Sequence, residues 1–271
     1  MPGQYHTRGI TMHSLIKIII HKRESQLTNA KSANLRRPNY EENSVKSCCS
    51  CLDIHPAHQI MIFSSFLTAL VLAGLSSAKP TPRAECSALH LIFAAGTGEE
   101  GLGLAGTPFS EALAAAIPGT TTYALPYDTS VEYDTTLVAA ANSVQQYFAA
   151  QSAACPNQKF AFGGYSKGAM VVHRTTLPDA IKSKITAVVV FGDPYLKYQT
   201  EEFESAWPIN SAVVNLQPGN TTVAGETVAS FCNTGDIICD LMGGEVEPHL
   251  AYGTDGSTTK AAAFVKGVYS S

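Results

Sequence analysis

Long apolar runs are scarce in this chain. The most hydrophobic stretch, residues 60–75, contains Ser, Thr and Gly and falls short of the ~20 residues a spanning helix needs, which argues against a membrane anchor. Cations are scarce beyond residue 83. Residues 84–271 carry eight Lys and Arg against eighteen Asp and Glu, a net charge of −10. That balance argues against nucleic acid as a partner and fits solubility in acidic surroundings, and no acidic run is long enough to act as a binding tail. Metal-site spacing is missing too: Cys48, Cys49 and Cys51 have no second ligand pair at zinc-site spacing. Neither a metal nor an organic cofactor is expected. No repeat or low-complexity segment breaks up the acidic part, where only His90, His173 and His249 supply imidazoles.

What is present divides the chain unevenly. With 271 residues, 45% of them hydrophobic, there is enough for one sizeable core and no clear sign of two. Residues 1–60 are rich in Lys, Arg, His, Asn and Ser, have one short apolar run at 16–20, and do not read as a packed domain. Residues 61–78 begin with Met and end in Ser-Ser-Ala, the pattern of a secretory signal peptide cleaved near Ala78. Residues 1–60 are therefore expected to be an upstream extension or a mis-called start, and 79–83 a short pro-segment ending at Arg83. The mature domain would be 84–271, secreted and monomeric. Of seven cysteines, an awkward odd number, four remain after Met61: Cys86, Cys155, Cys232 and Cys239. Four allow three disulfide connectivities, and the short gap between Cys232 and Cys239 favours a local clip that leaves Cys86 with Cys155. Asn220-Thr-Thr is a glycosylation acceptor compatible with secretion.

Within that domain, Gly164-Tyr-Ser-Lys-Gly168 is a G-x-S-x-G pentapeptide with an apolar run before it and a helix-forming run after it. A serine on a tight strand-to-helix turn needs strained backbone angles, and glycine two residues either side lets the neighbouring chains approach. Ser166 is thus the candidate nucleophile. Strand patterns at 88–95, 119–125, 159–163, 185–191, 211–216 and 227–232 alternate with helical ones at 108–116, 135–151, through 176 and at 260–269. Apolar strands separated by helices predict an α/β fold, with a mainly parallel central sheet covered on both faces in the three layers of an α/β hydrolase, and no large lid.

A serine nucleophile needs an imidazole to take its proton and a carboxylate to hold that imidazole, in the chain order Ser, acid, His. His90 precedes the serine, in a strand, and reads as a core histidine. His173 lies seven residues along the same helix, roughly 10 Å from the elbow, and cannot reach. His249, in a loop rich in Gly and Pro, is the base by elimination. Two acids compete. Asp193 and Asp236 both follow strands at the carboxyl edge of the sheet, where sites of open α/β folds lie. Asp236 is nearer His249 in sequence and inside the 232–239 loop; Asp193, before Pro194, has a turn or cap as its other role.

The blocks GGYSKG, FCNTGDIIC and PHLAYGTDG, in that order and with two cysteine pairs, resemble the cutinase family of secreted fungal serine esterases. The similarity runs from Cys86 to the C-terminus. It implies Ser166, Asp236 and His249 as the triad, disulfides Cys86–Cys155 and Cys232–Cys239, and an oxyanion hole of the Lys167 backbone N–H with Thr97. Many members carry Gln after the nucleophile. Lys167 keeps the backbone donor, and its side chain is expected to be a solvated helix-start cation, an effect on substrate choice or pH dependence being the alternative. The implied substrate is a polyester such as cutin of the plant cuticle, or short-to-medium acyl esters. Phe191-Gly-Asp-Pro resembles the acetylxylan esterase side of the superfamily and keeps a carbohydrate acetyl esterase as the rival; a secreted surface-binding protein without turnover is the alternative of another class. Apolar residues between 241 and 250, with Leu102 and Leu104, are candidates to line an exposed acyl groove, the alternative and more common role being to anchor their loops.

Overall fold

The computed structural model describes residues 86–197, 207–209, 213–216 and 226–271. The expectations for 1–60, 61–78, 79–83 and Asn220 lie outside the described residues. Six strands form one parallel sheet: β1 (Leu89–Ala94), β2 (Thr121–Ala124), β3 (Lys159–Tyr165), β4 (Ile185–Phe191), β5 (Val213–Leu216) and β6 (Val228–Phe231), in the order β2-β1-β3-β4-β6-β5. Six α-helices accompany them among the described residues: α1 (Gly103–Ala116), α2 (Asp134–Ala154), α3 (Lys167–Arg174), α4 (Asp179–Lys182), α5 (Glu247–Leu250) and α6 (Ser257–Tyr269).

The period of two along a strand explains the layers. Leu89, Leu91 and Phe93 of β1 join Val189 and Phe191 of β4 in a core against Phe109 and Leu113 of α1 and Phe264 and Val265 of α6. The intervening Ile92 and Ala94, with Val188 and Val190, face Leu137, Val144 and Phe148 of α2 and Met170 to Val172 of α3. Successive side chains point to opposite faces, so a strand apolar at every position must be covered on both. Burying each large side chain contributes about 1.5–3 kcal/mol relative to leaving it exposed.

Strand order also fixes where a site can form. From β1 the chain crosses to β2 at one edge, then returns to place β3 on the other side of β1. The carboxyl ends of β1 and β3 therefore flank a topological switch point, the crevice where open α/β sheets bind ligands. Two disulfides brace the frame. Cys86–Cys155 ties the start of β1 to the end of α2, and Cys232–Cys239 closes the loop after β6.

Element limits differ from expectation where side chains override local signals. Helix α1 begins at Gly103, five residues before the expected start at Pro108, which lies inside it. Proline has no N–H to give the preceding turn, and the Gly253 backbone packs there instead; a Cβ on Gly253 would lie 2.5 Å from the Leu104 carbonyl oxygen. Helix α3 stops at Arg174 rather than Thr176, and the Thr175 hydroxyl donates to the Val171 carbonyl at 2.7 Å. His249, expected in a loop, sits on the short helix α5, which opens with Pro248 in its first turn.

Candidate active site

The turn between β3 and α3 is built as the pentapeptide requires. Ser166 has φ 53° and ψ −115°, and is the one non-glycine residue with positive φ among the described residues. Strain of this kind costs on the order of 1–3 kcal/mol and persists only where the surroundings hold it. Here the Ser166 N–H donates to the Phe191 carbonyl at 2.9 Å and its own carbonyl accepts from Ala169 at 2.9 Å. Both flanking glycines are sterically required. A Cβ on Gly164 would lie 2.3 Å from the Gly168 carbonyl, and one on Gly168 would lie 1.9 Å from the Ala94 oxygen.

His249 reaches this turn from α5. Its Nε2 lies 3.0 Å from Ser166 Oγ and its Nδ1 lies 2.9 Å from Asp236 Oδ2. The imidazole and the carboxylate are buried, at 1% and 0% exposure, whereas Ser166 keeps access to solvent. A carboxylate only accepts, so Nδ1 carries the proton and Nε2 is left to accept from the serine hydroxyl. Asp236 accepts two further bonds, from the Tyr252 hydroxyl at 2.6 Å and the Ile238 N–H at 2.7 Å. Burial alone would raise its pKa; the charge and hydrogen bond of His249, with those of Tyr252 and Ile238, outweigh burial and hold it below the usual value. Burial, then the Asp236 charge, pushes the Tyr252 phenol well up, so it stays a donor.

Asn233, in the loop that leads to Asp236, ties it to the segment of His249: its Nδ2 donates to the Pro248 carbonyl at 2.9 Å and to Asp255 Oδ2 at 2.6 Å. Tyr165 donates its hydroxyl to the His249 carbonyl at 2.8 Å. Gly192, φ 55°, lies beneath the imidazole: a Cβ there would fall 2.6 Å from His249 Cε1. Gly192→Ala is accordingly expected to displace the ring and lower kcat by roughly 10²-fold, the usual penalty for misplacing a reacting group by about 1 Å. Steady-state kinetics beside a melting curve checks it, and an unchanged kcat would remove Gly192 from the site.

The other acidic and imidazole groups are engaged elsewhere. Asp193 Oδ2 pairs with His173 Nε2 at 2.8 Å, and Asp193 Oδ1 accepts from the Tyr195 N–H at the start of the 3₁₀ turn Pro194–Leu196. His90 bonds Thr121 and Tyr147 at 2.6 and 2.7 Å, and burial lowers its pKa to about 4. Of the expected groove residues, Leu241 and Met242 project into solvent, while Leu102 and Leu104 pack against the core.

One expectation is corrected. The Lys167 side chain is not a solvated cation but fully buried, its Nζ donating to the carbonyls of Asp128, Ser130 and Glu132 at 3.0, 2.5 and 2.7 Å. Long stems bury readily when the head finds partners, and here three backbone acceptors replace water. Beside it, Thr97 Oγ1 lies 2.6 Å from the Tyr133 hydroxyl, and the buried Glu99 carboxylate accepts from the Gly96 and Leu104 N–H groups, shaping the turn after β1.

A doubly covered parallel sheet, with a strained serine elbow hydrogen-bonded through histidine to aspartate, defines an α/β hydrolase-type protein. The family model described as cutinase matches residues 85–269. A cutinase of Hypocrea jecorina is 35% identical over 207 residues, covering 73% of this chain and 72% of that protein. The solved structure of a Trichoderma reesei cutinase, in complex with a phosphonate inhibitor, superposes with a TM-score of 0.52 at 29% identity, covering 69% of this chain and 78% of that one. An acetyl xylan esterase superposes with a TM-score of 0.54 at 20% identity, covering 68% and 100%, a likeness of fold alone. The chain belongs to the cutinase family and is a carboxylic ester hydrolase.

Proposed function

We propose that this chain is a secreted serine esterase that hydrolyses cutin-type aliphatic polyester or short-to-medium acyl esters through an acyl-enzyme. The observation that carries the reading is the unbroken hydrogen-bonded series Ser166 Oγ, His249 Nε2, His249 Nδ1, Asp236 Oδ2 at the carboxyl edge of the sheet. His249 takes the hydroxyl proton as Ser166 Oγ attacks the ester carbonyl, and Asp236 stabilises the imidazolium that forms. His249 then gives that proton to the leaving alcohol. Water, deprotonated by the same imidazole, hydrolyses the acyl-enzyme. Thr97 Oγ and the Lys167 backbone N–H donate to each oxyanion. Two disulfides fit an oxidising compartment and support export. Among the described residues no helix is long and apolar enough to cross a membrane. The exposed Leu241 and Met242, close in sequence to Asp236, suit an apolar acyl chain.

Hydrolysis of nitrophenyl esters from acetate to palmitate tests this directly, with mature protein and Ser166→Ala as control. A Ser166-dependent maximum from butyrate to octanoate is expected. Activity confined to acetate would move the assignment to a carbohydrate acetyl esterase, and no activity above the control would leave a surface-binding role. Thr97→Ala should lower kcat by about 10²- to 10³-fold, as loss of one oxyanion donor does, with little change in melting temperature.

A further inference from the structure

We propose that the Lys167 side chain is a positioning residue: its ammonium clamps the turn of residues 128–132 so that Tyr133 holds the Thr97 hydroxyl as an oxyanion donor. The inference rests on the reading of Thr97 as such a donor. Three carbonyls, of Asp128, Ser130 and Glu132, converge on one Nζ, so every proton of the ammonium is used. Three carbonyl dipoles aimed at one point repel one another unless a cation stands there. The same ammonium lies 4.8 Å from the Tyr133 ring centroid and 5.8 Å from that of Tyr127.

The clamped turn is sewn to the loop after β1. The Tyr127 hydroxyl donates to the Ala95 carbonyl, the Gly98 N–H donates to the Thr129 carbonyl at 2.7 Å, and the Thr129 hydroxyl donates to the Glu99 carbonyl at 2.9 Å. The last stitch is Tyr133 to Thr97 at 2.6 Å. Its polarity matters. If Tyr133 donates, the Thr97 proton stays free for the oxyanion; if Thr97 donates, that proton is spent. Burial raises the Tyr133 pKa to about 12, so the phenol keeps its proton across the working range. One residue thus serves both donors: Lys167 gives its backbone N–H directly and orients Thr97 through its side chain. A neutral amine has two protons for three carbonyls, so the clamp weakens on deprotonation. Burial lowers the Lys167 pKa to about 8, partly offset by the Asp128 and Glu132 charges. The Tyr127 and Tyr133 phenols are the other titratable groups against it, with Glu99 acting on Tyr127.

The test compares Lys167→Met, which keeps the backbone N–H and the apolar stem, with Tyr133→Phe, the double variant and Thr97→Ala, all on nitrophenyl butyrate. Lys167→Met should lower kcat about 10-fold or more with KM nearly unchanged, the mark of a contact that acts in the transition state. Tyr133→Phe should do the same, and the double variant should be no worse than the poorer single one, because both break one chain of contacts. A fall of wild-type kcat above about pH 8 should vanish in Lys167→Met. An unchanged kcat in Lys167→Met, or losses that multiply in the double variant, would overturn the clamp while Thr97→Ala still showed its own loss. A normal Thr97→Ala would instead overturn the oxyanion reading itself. Should Lys167→Met fail to fold, Tyr133→Phe carries the test, and normal turnover by it is the overturning result.

Discussion

Turnover by Ser166→Ala should fall by roughly 10⁵- to 10⁶-fold, close to the effect of removing a whole triad, while the melting temperature holds or rises. The two halves of that expectation have separate causes. Alanine keeps the Cβ that makes φ 53° strained, so the elbow with its bonds to Phe191 and Ala169 is neither relieved nor disrupted. What disappears is Oγ, the hydroxyl oxygen 3.0 Å from His249 Nε2. A buried polar atom that loses its partner costs about 1–3 kcal/mol, but Ser166 is itself part-exposed, so water can take the place of Oγ beside Nε2. Ester hydrolysis with a sensitive nitrophenyl substrate, beside thermal unfolding, reads both halves. Residual kcat near one per cent of wild type would mean that the nucleophile lies elsewhere. Adding His249→Ala to Ser166→Ala should cost almost nothing further, since the imidazole has no proton left to move.

The legibility of this site in the sequence was uneven, for physical reasons. Strands β1 and β4 are legible because burial on both faces leaves them apolar at all but one position, His90 in β1 and Thr186 in β4, and the elbow is legible because its glycines are forced by backbone approach within the motif itself. Between the two acids, sequence spacing favoured Asp236 without excluding Asp193, since both follow strands. The fold separates them by face: Asp193 turns toward His173 on the α3 side, and Asp236 toward His249 on the side of Tyr252 and Phe231. Helix α5 escaped because four residues carry no periodicity. The sequence misleads at Lys167 because lysine is ordinarily exposed, and its three acceptors are backbone carbonyls, which leave no mark in a sequence. Gly192 is silent in the sequence for a similar reason: its need for a missing Cβ comes from a histidine 57 positions later, and nothing nearby records it.

Asp236→Asn should reduce kcat by about 10⁴-fold while leaving the fold intact. Asp236 accepts three bonds, two of them at Oδ2, and an amide cannot reproduce that set. With its oxygen kept on the Ile238 N–H, the Asn NH₂ faces His249 and forces Nδ1 to accept. The ring proton then moves to Nε2, pointing at Ser166 Oγ, and the imidazole can no longer take the serine proton. Turning the amide over restores Nδ1–H but sets NH₂ against the Ile238 N–H, donor to donor. Either arrangement costs a bond that the carboxylate makes. The pH dependence of stability separates this from general damage. Because the folded pKa of Asp236 lies below its ordinary value of about 4, its contribution is fully present above that value and is lost as pH falls through the lower, folded one. The stability gap between wild type and Asp236→Asn should therefore be widest above about pH 5 and narrow at more acidic pH. A gap independent of pH would mean that the ionised carboxylate is not what the folded protein stabilises.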